Sequence, residues 1–144
     1  MGIIAGLAAL VAAAAVIVAA PGLVFSGEMC GNQTLAEVRS PGGTHRAVVF
    51  ERDCGATSGF STQVSVLPAG ETLPSEGGNL FVADDDHGQA PSGPGGGPVV
   101  EPVWLAENRL LIRHHPRARV FHSEARVDGV EVTYERSTPT PTAP

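Results

Sequence analysis

Hydrophobic positions along this chain fall into two unlike patterns: one unbroken apolar run near the start, then short apolar bursts cut by Gly, Pro, Asn and Asp. From Gly2 to Phe25 there is no charged side chain, and eleven residues are Leu, Ile, Val or Phe. A helix rises about 1.5 Å per residue and needs roughly 20 apolar residues to cross the hydrocarbon core, so residues 2–25 are predicted to enter a membrane. Two outcomes stay open for this 1–26 segment. No Lys or Arg precedes the run, which favours an uncleaved anchor over a secretory signal. Val24 and Ser26 are small residues placed to suit signal cleavage before Gly27. Lipidation of Cys30 is not expected, because Glu28-Met29 stand where a lipoprotein signal carries small residues.

Beyond Leu35 no helical period is sustained, and the pattern predicts a mainly β domain over 27–136. Leu35 to Arg39 and His45 to Arg52 flank Ser40-Pro41-Gly42-Gly43, a turn in which proline presets φ and glycine accepts positive φ. Thr62 to Leu67 and Leu80 to Ala83 read as further strands. Val103-Trp104-Leu105 and Leu110-Leu111-Ile112 bracket Glu107-Asn108 as another hairpin, with Trp104 assigned to the core. Asp128-Gly129 suits a type I′ turn between Arg119 to Val127 and Val130 to Glu135; counting outward pairs Val127 with Val130, Arg126 with Glu131 and Ala125 with Val132. The expected architecture is a small antiparallel sandwich or curved sheet of about 7–8 strands. Gly88 to Pro98 is almost wholly Gly, Pro, Ser and Ala, and Ser137 to Pro144 alternates Thr with Pro. They are expected as a long loop and a frayed tail, too poor in apolar surface to offset ordering entropy.

Composition then narrows the compartment. The net charge is −6, arginine supplies all the cationic side chains, and the Ala/Gly/Pro-rich, lysine-free make-up matches coding from GC-rich bacterial DNA. That points to a bacterial envelope, inner-membrane anchored or periplasmic/secreted, and gives no reason to expect a nucleic-acid partner. Two cysteines, Cys30 and Cys54, in an exported domain read as a disulfide. Closing that loop restricts the unfolded chain by about 3 kcal/mol. A reactive Cys54 thiol is the rival, and needs a basic neighbour that the sequence does not identify.

Three stretches could carry chemistry. Asp84-Asp85-Asp86-His87 offers ligands for a divalent cation but lacks the alternating spacing of a calcium loop, and otherwise reads as a solvated acidic loop. His114, His115 and His122, with Arg109, Arg113, Arg117, Arg119 and Arg126, form a basic stripe inside an acidic protein that could attract phosphate or lipid headgroups. Neighbouring strand residues face opposite ways, so His114 and His115 cannot both serve one site without a bend. The loop from Asp53 to Gln63 gathers Asp53, Thr57, Ser58, Ser61 and Gln63 around a cysteine, as a binding loop or as a loop pinned by the disulfide. No nucleophile, base and orienting group recur in a known catalytic pattern, and no cofactor motif is present.

The combination of C-G-N at Cys30, S-P-G-G-T-H-R-A-V-V-F-E-R-D-C-G-A-T-S-G-F-S-T-Q-V-S-V-L, I-R-H-H-P-R-A-R-V-F and V-D-G-V-E-V-T-Y resembles a group of small exported bacterial proteins, many lipoprotein-like, that share a D-C-G-A-T/S-S/T-G-F-S-T-Q motif. The resemblance spans nearly the whole domain and implies export, without an established activity; the missing lipobox departs from it. Segments around Ser40-Pro41-Gly42-Gly43 and Trp104 also look like single blades of TolB-type propellers, which place aspartate at the position of Gly42. A propeller needs about four to eight four-stranded blades, more strands than this chain can supply. The function expected is a noncatalytic envelope domain that uses residues 2–25 as membrane anchor and binds an envelope protein or an anionic surface ligand. The alternative is a small metal-dependent hydrolase built on Asp84 to His87 or on His114, His115 and His122.

Overall fold

The computed structural model describes residues 30–55 and 59–140, and these fold as nine β-strands in two sheets. The apolar run 2–25 and residues 141–144 of the tail lie outside the described residues. Among those described, no helix is long and apolar enough to cross a membrane.

The first sheet has the order β1-β2-β3-β4-β7, built from Gly31–Arg39, His45–Asp53, Ser61–Pro68, Phe81–Asp84 and Arg119–Ser123. The second is β5-β6-β9-β8, built from Val100–Ala106, Arg109–His114, Val130–Arg136 and Arg126–Val127. The predicted hairpin at Ser40-Pro41-Gly42-Gly43 forms, with Gly43 at φ 76° and its amide donating to the Ser40 carbonyl at 2.9 Å. Asp128 and Gly129 both take positive φ, 50° and 77°, as a type I′ turn requires. The expected partners follow: Val127 with Val130, Arg126 with Glu131, and the Val132 amide on the Ala125 carbonyl at 2.9 Å.

The run Arg119 to Val127 is not one strand, which is where the count rises above the expected number. Its first half is β7, paired with β4 in the first sheet; its second half is β8, paired with β9 in the other. The chain changes sheets at Glu124 and Ala125. There the Glu124 amide donates to the Leu80 carbonyl at 2.9 Å, and the Tyr134 hydroxyl donates to the Glu124 carbonyl at 2.6 Å. Burial pushes the Tyr134 phenol up to about 12, so it stays a donor at this crossing. The switch brings β9 beside β6 in parallel, the one parallel pair among otherwise antiparallel ladders of the described strands.

The core lies between the sheets. Val49, Val64, Val66, Leu80, Phe81 and Ala83 from one side meet Val100, Leu110, Ile112, Val130 and Val132 from the other. Trp104 packs against this cluster half-buried and donates its indole N–H to the Val38 carbonyl at 2.9 Å. Strand β2 is buried on both faces, because successive residues of Ala47-Val48-Val49-Phe50 point opposite ways. Val48 and Phe50 join Leu67 in a second cluster closed by Leu73.

The Gly/Pro loop is irregular as expected, but it is packed. Gly97 lies so close to β3 that a Cβ would stand 2.6 Å from the Thr62 hydroxyl, and that hydroxyl donates to the Pro98 carbonyl at 2.6 Å. Pro98 and Ala90 are buried. Glycine compensates for poor apolar content here by bringing backbone into direct contact with the sheet.

Candidate functional site

Cys30 and Cys54 form the predicted disulfide, which closes the end of the β1–β2 ladder where Gly31 faces Asp53. No free cysteine remains. Of the five loop residues singled out beside it, Thr57 and Ser58 lie outside the described residues, and the other three serve the fold. Asp53 Oδ1 accepts from the Gly55 amide at 2.9 Å. Ser61 donates its hydroxyl to the Arg52 carbonyl at 3.4 Å and accepts from Gln63 Nε2 at 2.9 Å. Gln63 is buried, and its Oε1 accepts from the Gly78 amide at 2.7 Å. Gly78 lies so close to β3 and β4 that a Cβ would meet the Val64 and Phe81 carbonyl oxygens at 2.8 Å. Gln63 therefore fastens the segment over Val48 and Phe50. Gln63→Ala strands a buried amide and is expected to cost about 1–3 kcal/mol in urea unfolding; a loss near zero would show that the contact contributes nothing.

The basic stripe is dispersed. Arg113 lies across the ladder between Glu101, at 3.7 Å, and Glu135, at 3.3 Å. Arg119 belongs to the other sheet, where it holds Asp84 with two hydrogen bonds of 3.1 and 2.6 Å and lies 5.0 Å over the exposed Phe121 ring. Arg109 starts β6 and Arg117 follows its far end, so the two are separated by the length of that strand. Arg119 therefore lies on a different sheet from Arg109 and Arg113.

The acidic run is engaged too. Burial by itself raises the Asp84 carboxyl, but the Arg119 guanidinium and the Asp86 amide outweigh it and hold the group below its usual range. Asp86 and His87 follow with positive φ, 50° and 57°. His114 is buried, its ring 5.3 Å from that of Phe81, and burial lowers its pKa. His122, on β7, faces Glu124 at 3.5 Å. Among the described residues no three His, Cys, Asp or Glu side chains are grouped to hold a metal ion.

One polar cluster was not anticipated from sequence. Glu107, in the β5–β6 turn, reaches across to the β1–β2 turn of the other sheet. It accepts from the Ser40 hydroxyl at 2.6 Å, the Thr44 amide at 3.2 Å, the Gly42 amide and the Thr44 hydroxyl. A Cβ on Gly42 would stand 2.7 Å from the Glu107 carboxylate. The β1–β2 turn thus receives a carboxylate from a different hairpin. The clasp continues through His45, whose Nδ1 lies 3.0 Å from the Thr44 hydroxyl and whose Nε2 lies 3.0 Å from Asp128. Three turns from two sheets are joined at the end opposite the disulfide.

Thr44, His45 and Asp128 are in the order of a nucleophile, base and acid, but the Thr44 hydroxyl already donates to Glu107. Hydrogen bonds from Ser40 and then Thr44 hold the Glu107 carboxyl down to about 2, which makes it a poor base at neutral pH. The arrangement is a structural clasp. Because the folded pKa lies below the ordinary 4.5, its stabilisation is complete above 4.5 and is lost as pH falls toward about 2. Wild type and Glu107→Gln are expected to differ in melting temperature at pH 7 and to converge near pH 2; a difference independent of pH would contradict the clasp. No protein-family model, no curated protein and no solved structure matches this chain.

Proposed function

We propose that this chain is a noncatalytic domain of the bacterial cell envelope, tethered through residues 2–25 and serving as a binding or structural module outside the cytoplasm. The observation that carries the reading is the Cys30–Cys54 bridge, which begins five residues after the apolar run ends at Phe25. Disulfides persist in oxidising compartments and are rare where thiols are kept reduced. The geometry agrees in a second respect: among the described residues, Ser40, Ser61, Gln63, Glu107, Arg113 and Arg119 are engaged in turns, ladders and ion pairs. With so short a connection, the bridged end of the sandwich faces the bilayer and the Glu107 clasp faces away.

Fusing alkaline phosphatase, which is active only outside the cytoplasm, to the C-terminus of the full chain tests the reading. Active phosphatase in the membrane fraction supports a tethered external domain; inactive enzyme overturns it. The N-terminus of the recovered protein separates an anchor, beginning at Met1, from a cleaved signal, beginning at Gly27.

A further inference from the structure

One end of the sandwich carries the disulfide, the exit of the chain toward residues 2–25, and an exposed phenylalanine. Cys30 directly precedes β1 and is bridged to Cys54, and Phe60, 53% exposed, directly precedes β3. Gly31 pairs with Asp53 and Arg52 with Ser61, so these strand ends lie side by side. We propose that Phe60 and the Gly/Pro loop against it form a docking face for the surface of a phospholipid bilayer, with the Phe60 ring seated among headgroups and upper acyl chains. This rests on the reading of residues 2–25 as a tether and deepens it, by naming the surface that the tethered domain presents.

Strand alternation puts Phe60 on the same side as Thr62 and Val64, which face inward between the sheets. Gly96 lies opposite, so near that a Cβ there would stand 2.8 Å from the Phe60 ring. The ring is thus backed by main chain while the residue stays half-exposed. The same loop brings Gly95 against Leu35, where a Cβ would stand 2.8 Å from the leucine side chain, and it carries the exposed Pro94. From Gly88 to Val100 the sequence has no charged side chain. Taking charge out of water at the headgroup boundary is costly, and glycine, proline and phenylalanine bring none.

The tether identifies what covers this face. From Phe25 to Cys30 the chain extends about 18 Å at most. Phe60 lies two strands from the exit at β1, about 10 Å across the sheet. Once residues 2–25 are inserted the contact is intramolecular, so one aromatic ring and an uncharged loop suffice to hold the domain against the membrane. The charges at this end are balanced or stand further off. Arg52 donates to Asn32 and Asp53 accepts from the Gly55 amide. Asp84 and Asp86 lie at the β4 side of the sheet, away from β1, and both pair with Arg119. Arg117 follows β6 and Arg136 ends β9, in the second sheet. A domain leaning on its β1 side therefore lowers Phe60 and the loop first and keeps the acidic turn in water.

The test uses the full chain in phosphatidylcholine nanodiscs, with benzoylphenylalanine in place of Phe60, irradiation, and mass spectrometry of the protein. Lipid adduct should form at position 60 at least tenfold more than with the probe in place of Leu105, which is 51% exposed at the clasp end, or of Phe121, 61% exposed on β7. A second probe in place of Pro94 should also take lipid, and Phe60→Asp, an exposed change, should reduce that adduct at least fivefold. Adduct at position 60 should be the same at low and high salt. Equal adduct at positions 60 and 105, or adduct at position 94 that Phe60→Asp does not alter, would overturn the proposal. A steep fall with salt would overturn it too, by assigning the contact to the arginines at this end. Full chain recovered outside the discs would overturn the tether and this inference with it; full chain inside the discs without lipid at position 60 overturns this inference alone.

Discussion

Phe81→Ala is expected to destabilise the domain by about 3–5 kcal/mol, the range for removing a fully buried phenylalanine. Phe81 is 0% exposed and holds three parts of the fold at once. Its backbone pairs β4 with Val64 of β3 and Ser123 of β7. Its ring lies 5.3 Å from His114 and 5.8 Å from Tyr134, both on the opposite sheet. A cavity here therefore sits at the junction of the sheets, where neither can collapse inward without breaking its own ladder. Small domains are stable by about 5–15 kcal/mol, so the variant should lose a large share of its margin. In urea the midpoint should fall with the slope preserved, whereas Phe121→Ala, 61% exposed, should change it by about 1 kcal/mol or less. Equal effects from the two would mean that the core is not where the structure puts it.

Replacing both Cys30 and Cys54 by serine is expected to cost about 2–5 kcal/mol, as for a native disulfide in a small secreted domain. The bridge closes a loop of 24 residues in sequence separation, and that loop contains the β1–β2 hairpin. The hairpin is held at one end by sulfur and at the other by Glu107. Without the bridge the ladder should fray from Gly31 and Asp53 toward the clasp, so amide exchange should accelerate first at that end. Unchanged urea midpoints for the oxidised protein and the double variant would show that the bridge adds no stability.

Local signals in the chain were reliable where the structure depends on local chemistry. The Asp128-Gly129 turn and its register, the Ser40 to Gly43 turn, and the Glu107-Asn108 hairpin all follow from residues within a few positions of one another. Features set by distant partners were not legible. Nothing near Glu124 announces that Leu80 and Tyr134 will bend the chain between sheets. The parallel pairing of β6 with β9 follows from that bend.

The candidate sites show the same division. Residue type marked Gln63, Ser61, Arg113, Arg119 and Asp84 as chemically able, and each is spent on a partner far away in sequence or across a ladder. Arg126 meets Glu131 across the β8–β9 ladder at 3.0 Å. By sequence Glu107 is a lone acid in a turn; the hydroxyls of Ser40 and Thr44 give it a role, and they lie 67 and 63 positions away.

Export of the domain is tested most directly by the state of the two cysteines in the cell. Intact bacteria producing the full chain are treated with a membrane-permeant alkylating agent before lysis, and the recovered protein is weighed by mass spectrometry. An exported, bridged domain predicts no alkyl groups without reduction and addition at both Cys30 and Cys54 after it. Alkylation of both cysteines without prior reduction would place the chain in a reducing compartment and contradict export of a bridged domain.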